Sequence, residues 1–375
     1  MIPSGLYREN VVIDKPLELV GDGSDGTVEL WPAKGPGIEV RADQVLIRNI
    51  KLHGRSASPV IQARFASVVL EDSEITGGTF TVKVDGEGVE CTIRRCRIFG
   101  GLVGIMLSAS HVTIDDCTIG GHRSSGIDVG GEWVTSLSIT RCHIDSNQGA
   151  GIDCSGDMRL SWGEISDCVL QGNFYGIRMS YSDAQTDLSY PSIERCQFIR
   201  NKHSGIDVSG KANPRLSDCE ITGPGYIGVY IRDGAHPRVS NAMIGGAIDI
   251  GIRVDGMCQD AEGRGISGCI IQDTTIAGIE IMKGAKPYID ACEIKDNAGV
   301  GIDIRAGASP TVRSCQITGN RLAGIWARTD AGGEVCACTV EHNAGKSILV
   351  EEGSNTDIRI ERNMVDQPAE DEDDD

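Results

Sequence analysis

Four charged residues at one repeated position of the chain have the types and spacing needed for acid–base chemistry. Asp128, Asp153, Arg178 and Asp207 each stand directly after a Gly-Ile pair. If successive Gly-Ile segments are neighbouring parallel strands, Asp128 and Asp153 lie about 5 Å apart. Two carboxylates at that distance disfavour each other's ionisation. We therefore expect one of them to have a raised pKa, or a cation to bridge the pair.

These residues suit two kinds of chemistry. With Asp128 and Asp153 as acid/base or nucleophile, the set would serve a glycoside hydrolase, lyase or epimerase, because their strand spacing is near the ~5–5.5 Å carboxyl separation of retaining glycosidases. Alternatively, the two aspartates hold Ca²⁺ while Arg178 binds the carboxylate of a uronate sugar. No other cofactor is expected.

The coils that carry these residues are longer than the usual repeat. The added residues follow the Gly-Ile strands, at 131–133, 154–162 and 181–190. Insertions in a repeat protein gather along one edge and often form its binding face. Aromatic side chains there can stack on sugar rings or anchor a protein partner, although loops that pack only on themselves, and solvated turn histidines, are the alternative. The predicted ligand-binding residues are Trp133, Trp162, Tyr181, Tyr190, His122 and His203.

A repeat of 21 to 28 residues positions all of these side chains. A clear copy runs from Pro287 through Cys292 and Ile294 to Gly301-Ile302, and seven of the thirteen steps between copies are 23 residues. Aliphatic and polar residues alternate over short segments, which is typical of strands. The cysteine position recurs at Ile50, Ser73, Cys96, Cys117, Cys142, Cys168, Cys196, Cys219, Ala242, Cys269, Cys292, Cys315, Cys338 and Asn363.

The repeat predicts an all-β fold, a single-stranded right-handed parallel β-helix (solenoid) of about 14–15 coils. Identical turns on successive coils make the strands run parallel, and right-handed connections are strongly favoured. In this interpretation residues 1–366 form one domain, and residues 367–375 form a disordered acidic tail.

Two turn signals recur within the repeat. Asparagine stands four residues before the glycine of several coils, and before Ser347 in the last of them, where we expect left-handed backbone angles. Proline stands five residues before the cysteine position, where the chain re-enters a strand. The residues are Asn147, Asn201, Asn297, Asn320 and Asn343, and Pro214, Pro237, Pro287 and Pro310.

The residue before the cysteine position alternates in charge over seven coils, beginning with Asp72 and Arg95 and ending with Asp218. Opposite charges on adjacent strands attract, and a slip of one coil would bring like charges together. We interpret this row as a device that fixes the register, not as a binding site.

The fourteen cysteines are expected to be reduced. Ten occupy the inward repeat position, where Ile50, Ser73 and Ala242 stand on other coils, so cysteine acts there as a small apolar filler. A zinc site at Cys336 and Cys338 is a minor alternative. Free buried thiols, no signal peptide and no apolar run of eighteen residues predict a cytoplasmic protein without a membrane segment.

The charge of the chain excludes one class of partner. The formal net charge is −19, of which residues 370–375 supply six, so a nucleic acid is an unlikely ligand for the acidic body. At the other end, the opening coil from Pro3 to Ile13 has no cap before it. Exposed strand edges there lead us to expect self-association or a capping partner.

The repeats resemble those of the pectin-lyase-like superfamily, through Pro-x-Ile-x-x-Cys-x-Ile and Asn-x-x-x-Gly-Ile. They are most similar to carbohydrate-binding and sugar-hydrolase β-helices, NosD-type proteins and the β-helix of certain F-box subunits. The Gly-His-Gly and Arg-Ile-Lys motifs of polygalacturonase-like enzymes and the Trp-Ile-Asp-His motif of pectate lyases are absent. His236-Pro237 reverses part of the Asp-Pro-His motif of mannuronan epimerases. The resemblance therefore implies the fold and transfers no catalytic residue.

Two functions remain open at this point. The sequence favours a non-catalytic binding or scaffold protein that presents residues 128–207 to a protein or glycan partner, because family motifs are missing. The alternative is the polysaccharide-modifying enzyme described above.

Overall fold

The computed structural model describes all residues except 24–26, 56, 132, 156–161, 182–189, 224, 247, 257, 259–264, 354 and 367–375. The chain divides into two compact units, Met1–Ile221 and Thr222–Asp375, which are described separately. Every regular element among the described residues is a β-strand. None of the described elements is a helix long and apolar enough to cross a membrane. The predicted acidic tail lies outside the described residues.

The first unit is built from short strands separated by tight turns. In chain order they are β1 (Gly5–Tyr7), β2 (Val11–Ile13), β3 (Leu17–Val20), β4 (Val28–Leu30), β5 (Ile38–Val40), β6 (Val45–Arg48), β7 (Lys51–Gly54), β8 (Ile61–Arg64), β9 (Val68–Glu71), β10 (Glu74–Gly77), β11 (Phe80–Arg94), β12 (Arg97–Phe99), β13 (Val103–Asp115), β14 (Thr118–Gly120), β15 (Ile127–Val129), β16 (Ser136–Thr140), β17 (His143–Asp145), β18 (Ala150–Cys154), β19 (Trp162–Ser166), β20 (Val169–Gln171), β21 (Tyr175–Tyr181), β22 (Ser192–Glu194), β23 (Gln197–Ile199), β24 (Ser204–Gly210), β25 (Arg215–Ser217) and β26 (Glu220–Thr222), whose last residue opens the second unit.

The second unit continues with strands of at most 7 residues, shorter than β11 (15 residues) and β13 (13 residues) of the first. They are β27 (Gly225–Ile231), β28 (Arg238–Ser240), β29 (Met243–Gly245), β30 (Ile248–Val254), β31 (Ile266–Ser267), β32 (Ile270–Gln272), β33 (Ala277–Ile281), β34 (Tyr288–Asp290), β35 (Glu293–Lys295), β36 (Val300–Ile304), β37 (Thr311–Arg313), β38 (Gln316–Thr318), β39 (Ile325–Ala327), β40 (Gly332–Cys336), β41 (Thr339–Glu341), β42 (Ile348–Val350), β43 (Asp357–Glu361) and β44 (Met364–Val365).

Most coils contribute one strand to each of three parallel stacks, and the long strands β11 and β13 each run through two of the stacks. Stack I holds the strands that follow the cysteine position, such as β14, β17 and β20. Stack II holds the Gly-Ile strands, such as β15, β18 and β21. Stack III holds the strands that precede the cysteine, such as β16, β19 and β22. All of these pairings are parallel, and the described residues make about 14 turns in all, so the predicted solenoid is confirmed.

The core consists of the inward side chains of the three stacks and of the cysteine row. Ile105, Ile114 and Ile119 represent the three stacks, and each is fully buried. All fourteen cysteines are buried and free. The Sγ of Cys117 donates to the Asp115 carbonyl at 3.2 Å, which satisfies the thiol without a partner cysteine. The prediction that cysteine serves as a reduced filler is confirmed.

The alternating charge row lies in a different conformation from the one expected. Its members adopt left-handed backbone angles, as Asp72 (φ 48°) and Arg95 (φ 52°) illustrate, so they form the corner between stacks III and I and are not strand residues. The expected ion pairing is nevertheless present: Arg95 Nε lies 2.7 Å from Asp72 Oδ1. On a later coil Arg141 binds Asp115 instead of its neighbour in the row.

The asparagines of the turn point inward, which corrects their predicted role. Asn297 and Asn320 are fully buried, and Asn297 Nδ2 donates to Asn320 Oδ1 at 2.8 Å. The left-handed residue is the one before each asparagine, such as Asp296 (φ 53°). The amide is needed inside because it bridges buried groups of adjacent coils, which would otherwise lose their hydrogen bonds. The prolines match expectation, since β34 begins directly after Pro287.

Candidate functional site

The four predicted residues lie on consecutive strands of stack II in the first unit. Asp128 of β15 is the register partner of Asp153 of β18. Asp153 in turn pairs with Arg178 of β21, and Arg178 with Asp207 of β24. The sequence therefore predicted this row correctly: the four side chains are neighbours along one stack.

Asp153 and Arg178 form a close ion pair. The Nε of Arg178 donates to Oδ1 of Asp153 at 3.3 Å, and its Nη2 donates to Oδ2. The backbone N–H of Ser155 also donates to Asp153 Oδ1 at 3.1 Å. The Asp153 side chain is only 8% exposed, whereas that of Arg178 is 39% exposed. Asp153 is thus a buried carboxylate whose two oxygens both accept hydrogen bonds, and its guanidinium partner is half-exposed.

Asp128 has no comparable partner among the described residues. It lies half-buried at the surface of stack II. Burial, followed by the charge of Asp153, raises the pKa of Asp128 from 3.8 to about 6, against the opposing effect of Arg178. This carboxyl therefore exchanges its proton close to neutral pH, which fits the expectation that one member of the pair has a raised pKa.

Asp153 and Asp207 are less accessible than the strand pattern predicted. Outward strand residues were expected to face solvent, but Asp207 is only 1% exposed and Asp153 6%. Both carboxylates are therefore buried within this face. Of the three acids in the row, Asp128 alone is open enough to touch a ligand.

An aromatic cluster borders the row at the turn between stacks I and II. The rings of Phe174 and His203 stack with centroids 5.5 Å apart, and Tyr175 meets His203 edge-on at 5.0 Å. The Arg178 guanidinium lies over the Tyr175 ring at 5.7 Å. Of the three ring residues in the cluster, only His203 was predicted. The position of Phe174 and Tyr175 directly before the Gly-Ile pair that carries Arg178 was the missed signal.

His122 does not belong to this cluster. It is fully buried at the turn position that asparagine takes on later coils, and its backbone N–H donates to Asn147 Oδ1 at 3.1 Å. Its ring bonds the Gly101 N–H and the Ile98 carbonyl. Burial lowers its pKa to about 4. The prediction of a ligand-binding His122 is therefore corrected: the ring extends the interior ladder.

The four predicted loop aromatics are only partly placed beside the row. Trp162 is 51% exposed, but it opens β19 of stack III, where it pairs with Ser136. Trp133 is half-buried in the loop after β15. The Tyr190 hydroxyl donates to the Lys211 carbonyl at 3.0 Å. The Tyr181 side chain and most of the insertions at 156–161 and 182–189 lie outside the described residues.

The cation that balances the Asp153 carboxylate is a guanidinium. Arg178 occupies both oxygens of Asp153, where Ca²⁺ was considered. Within the described ranges no group of three or more His, Cys, Asp or Glu side chains is arranged to hold a metal ion.

The same row of the second unit provides an internal comparison. Its register partners run Arg253, Glu280, Asp303 and Trp326. Like Asp128 and Asp153, Glu280 and Asp303 are acids on adjacent coils, but arginines neutralise both. Arg305 lies 2.7 Å from Glu280 Oε1 and 3.1 Å from Asp303 Oδ2.

Further arginines complete this network in the second unit. Arg328 Nε lies 2.9 Å from Asp303 Oδ1. Arg253 Nε lies 2.7 Å from Glu280 Oε2, an ionic contact without hydrogen-bond alignment. In the first unit the positions equivalent to Arg305 and Arg328 are serines, Ser155 and Ser180. Among the residues that the structure describes, no guanidinium therefore forms an ion pair with Asp128.

Two short strings of the polygalacturonase-like motifs occur in the chain. They are Asp115-Asp116 and Asn355-Thr356-Asp357. They lie in different units, and neither is accompanied by Gly-His-Gly or Arg-Ile-Lys, so they transfer no function.

A coiled stack of parallel strands with a stacked interior cysteine row and amide ladder defines a β-helix protein. The sequence matches the right handed beta helix region family over residues 36–190, 186–286 and 255–370, and the chain belongs to that family. No curated protein matches its sequence.

Solved structures with the same fold are only distantly related. The periplasmic alginate epimerase AlgG has 13% identity over 92% of this chain and 84% of its own, with a TM-score of 0.50. The A-module of mannuronan C-5 epimerase AlgE6 from Azotobacter vinelandii has 14% identity over 98% and 90%, with a TM-score of 0.43. The catalytic domain of a GH87 alpha-1,3-glucanase has 11% identity over 96% and 63%, with a TM-score of 0.35. At these identities the likeness concerns the fold alone.

Proposed function

We propose that the protein is a polysaccharide-modifying β-helix in which Asp128 transfers a proton to or from a bound glycan. The observation that carries this proposal is the contrast between the two units. Glu280 and Asp303 are neutralised by arginines in the second unit, whereas the Asp128 carboxyl, beside Asp153, has no ion-pair partner among the described residues. An unmatched, half-buried acid costs stability, and such costs concentrate at functional sites.

The chemistry of Asp128 suits general acid–base catalysis. A carboxyl with a pKa of about 6 is populated in both protonation states near neutrality, and this condition favours proton transfer in either direction. Asp153 acts as a positioning residue, because its fixed charge holds the Asp128 proton. Arg178 orients Asp153, and Tyr175 and Phe174 offer ring faces for stacking on a sugar.

The burial of the other acids limits the types of reaction that this site could catalyse. A retaining hydrolase needs a second carboxylate that can reach the sugar, about 5–5.5 Å from the first. Asp153 and Asp207 are both covered, so neither serves as a nucleophile. The arrangement favours hydrolysis in which the protonated Asp128 carboxyl gives its proton to the glycosidic oxygen as the bond to the anomeric carbon breaks, while water adds to that carbon and releases its proton to solvent. That the alginate epimerase AlgG has a related fold supports a polysaccharide as the substrate class.

The direct test incubates the protein with neutral, amino-substituted and uronate polysaccharides and follows product release or altered sugar composition. We expect Asp128→Asn to abolish turnover with an unchanged fold by circular dichroism. Asp303→Asn, the same change at the equivalent row of the second unit, should leave the rate per folded molecule unchanged. Wild-type turnover that survives Asp128→Asn would refute the proposal.

A second function is non-catalytic binding of a glycan or protein partner at residues 128–207. It is favoured by the same burial, since a single accessible acid suffices for recognition. Pull-down with wild type and a variant lacking residues 181–190 separates the two. Partner capture that needs the loop, without turnover of any glycan, supports binding alone. Capture unchanged by the deletion would place the partner elsewhere.

A further inference from the structure

We infer that the Asp128–Asp207 row accepts a glycan that carries no negative charge, either neutral or amino-substituted, and rejects polyuronates. The inference rests on the proposed function and names its substrate class. It also reverses one interpretation of the sequence, in which Arg178 binds a uronate carboxylate.

The first argument is that Arg178 is already occupied. Both its Nε and its Nη2 donate to the Asp153 carboxylate. A uronate carboxylate that used the remaining N–H donors would meet a guanidinium whose charge Asp153 already balances, and one that displaced Asp153, which is only 6% exposed, would leave that carboxylate buried without its partner. Removing one member of a buried ion pair is strongly unfavourable. The guanidinium is therefore a structural cation.

The second argument is the local balance of charge. The row contains three carboxylates, Asp128, Asp153 and Asp207, and a single guanidinium. An anionic sugar placed against Asp128 would meet like charge in a partly desolvated setting, where Coulomb repulsion is stronger than in water. An ammonium group would instead meet an unmatched carboxyl at hydrogen-bond distance.

The third argument is the absence of spare cations in the flanking row of the described strands. The residues two positions further along the same coils are Gly130, Ser155, Ser180 and Ser209. The nearest lysine in the Asp128 row is Lys83, two coils earlier, where its Nζ lies over the Phe80 ring at 5.5 Å. Lys202 is exposed at the outer side of the aromatic cluster. The flanking row therefore offers no cation to a uronate on these four coils.

The groups that remain suit a neutral sugar. The Phe174 ring is 38% exposed and presents an apolar face to a pyranose ring. Asp128 accepts hydrogen bonds from sugar hydroxyls when ionised and donates one when protonated. Serine hydroxyls along the flanking row add uncharged donors and acceptors.

The test measures binding of three families of oligosaccharide by calorimetry at pH 7 and low salt: neutral gluco-oligosaccharides and N-acetylated chito-oligosaccharides, cationic chitosan oligosaccharides, and oligouronates. We expect at least tenfold tighter binding of a neutral or cationic probe than of any oligouronate. Affinity for the cationic probe should fall as salt is added.

Two variants probe the cause. Asp153→Asn frees the Arg178 guanidinium and should create oligouronate binding that wild type lacks, while Arg178→Gln should not. Asp303→Asn is the matched control and should create no oligouronate binding, because Arg305 keeps Glu280 and Arg328 keeps Glu351 as partners. Thermal unfolding establishes that each variant is folded, and Asp128→Asn, at a half-exposed position, provides a milder change that should weaken the cationic probe at least tenfold.

The outcomes separate the two proposals. Preferential binding of oligouronates by wild type would overturn the charge inference and leave the proposed function standing. Binding of no oligosaccharide from any family would overturn the proposed function as well. Tight binding of a neutral or cationic probe that is unchanged by Asp128→Asn would place recognition outside this row and overturn the inference.

Discussion

Replacing Asp128 with asparagine should make the protein more stable, by an amount that grows as the pH rises from about 4 to about 6. The pKa of Asp128 is raised from 3.8 in the unfolded chain to about 6 in the folded protein. The ionised form is therefore disfavoured by folding, so its destabilising effect is absent below pH 4 and complete above pH 6. The difference of about two pKa units corresponds to about 3 kcal/mol. Because Asp128 is partly exposed, screening reduces this to about 2 kcal/mol at pH 7.5.

The measurement compares free energies of unfolding of wild type and Asp128→Asn in urea at pH 4.5, 5.5, 6.5 and 7.5. Unfolding of a repeat array need not be two-state, so transitions followed by fluorescence and circular dichroism must coincide before a free energy is derived. Asp116→Asn, an exposed acid in the left-handed corner before Cys117, controls for the loss of one carboxylate. A stabilisation that is equal at all four pH values, or a loss of stability at pH 7.5, would refute the assignment of Asp128 as the unmatched acid.

Three further predictions concern the scaffold and its end. Asn297→Ala should lower the free energy of unfolding by about 2–3 kcal/mol, because it leaves buried groups of two coils without partners; a change below about 0.5 kcal/mol in urea titration would contradict the ladder's role. Arg305→Ala should cost about 2–4 kcal/mol, since Glu280 and Asp303 are buried beneath it, whereas Arg95→Ala, at an exposed pair, should leave the melting temperature unchanged. Leu6 and Val12 are 55% and 50% exposed on the opening coil, and Val12→Lys should reduce concentration-dependent self-association in sedimentation velocity if that edge associates; a monomeric wild type would count against the expectation.

The repeat made most of the fold predictable because neighbours in space are separated by one period in sequence. Cys292 and Cys315 are 23 residues apart, and the strands that follow them pair in register. The row of Asp128, Asp153 and Arg178 could be derived in the same way. Alternation within strands also placed Ile and Val in the core.

Side-chain burial could not be derived from the period. Asp207 was expected to face solvent because strand residues alternate, yet it is 1% exposed, and the packing that buries it is not encoded in one coil's pattern. The ion pair between Arg178 and Asp153 was equally unpredictable. Whether Arg178 binds Asp153 or a ligand depends on side-chain geometry between coils, and the order of residues does not specify that geometry.

Corners were the other source of error. Asp72 and Arg95 look like alternating strand residues in the sequence, but they adopt left-handed angles at the bend before the cysteine position. Asn297 looks like a turn residue, but its amide lies inside. In both cases the predicted and observed turn residues differ by one position. Composition alone does not locate a turn to a single residue.

Because the register between these coils of the second unit is constant, the unit could gain or lose one whole coil at a time. Removing residues 293–315 would join Cys292 to Gln316, whose side chain already occupies the place of Glu293 one layer on. Thr274 would then face Asn320, an acceptor equivalent to Asn297. A gene that duplicates or deletes such a segment changes how many layers the protein has without creating a mismatched seam, so evolution can lengthen or shorten this scaffold by recombination alone.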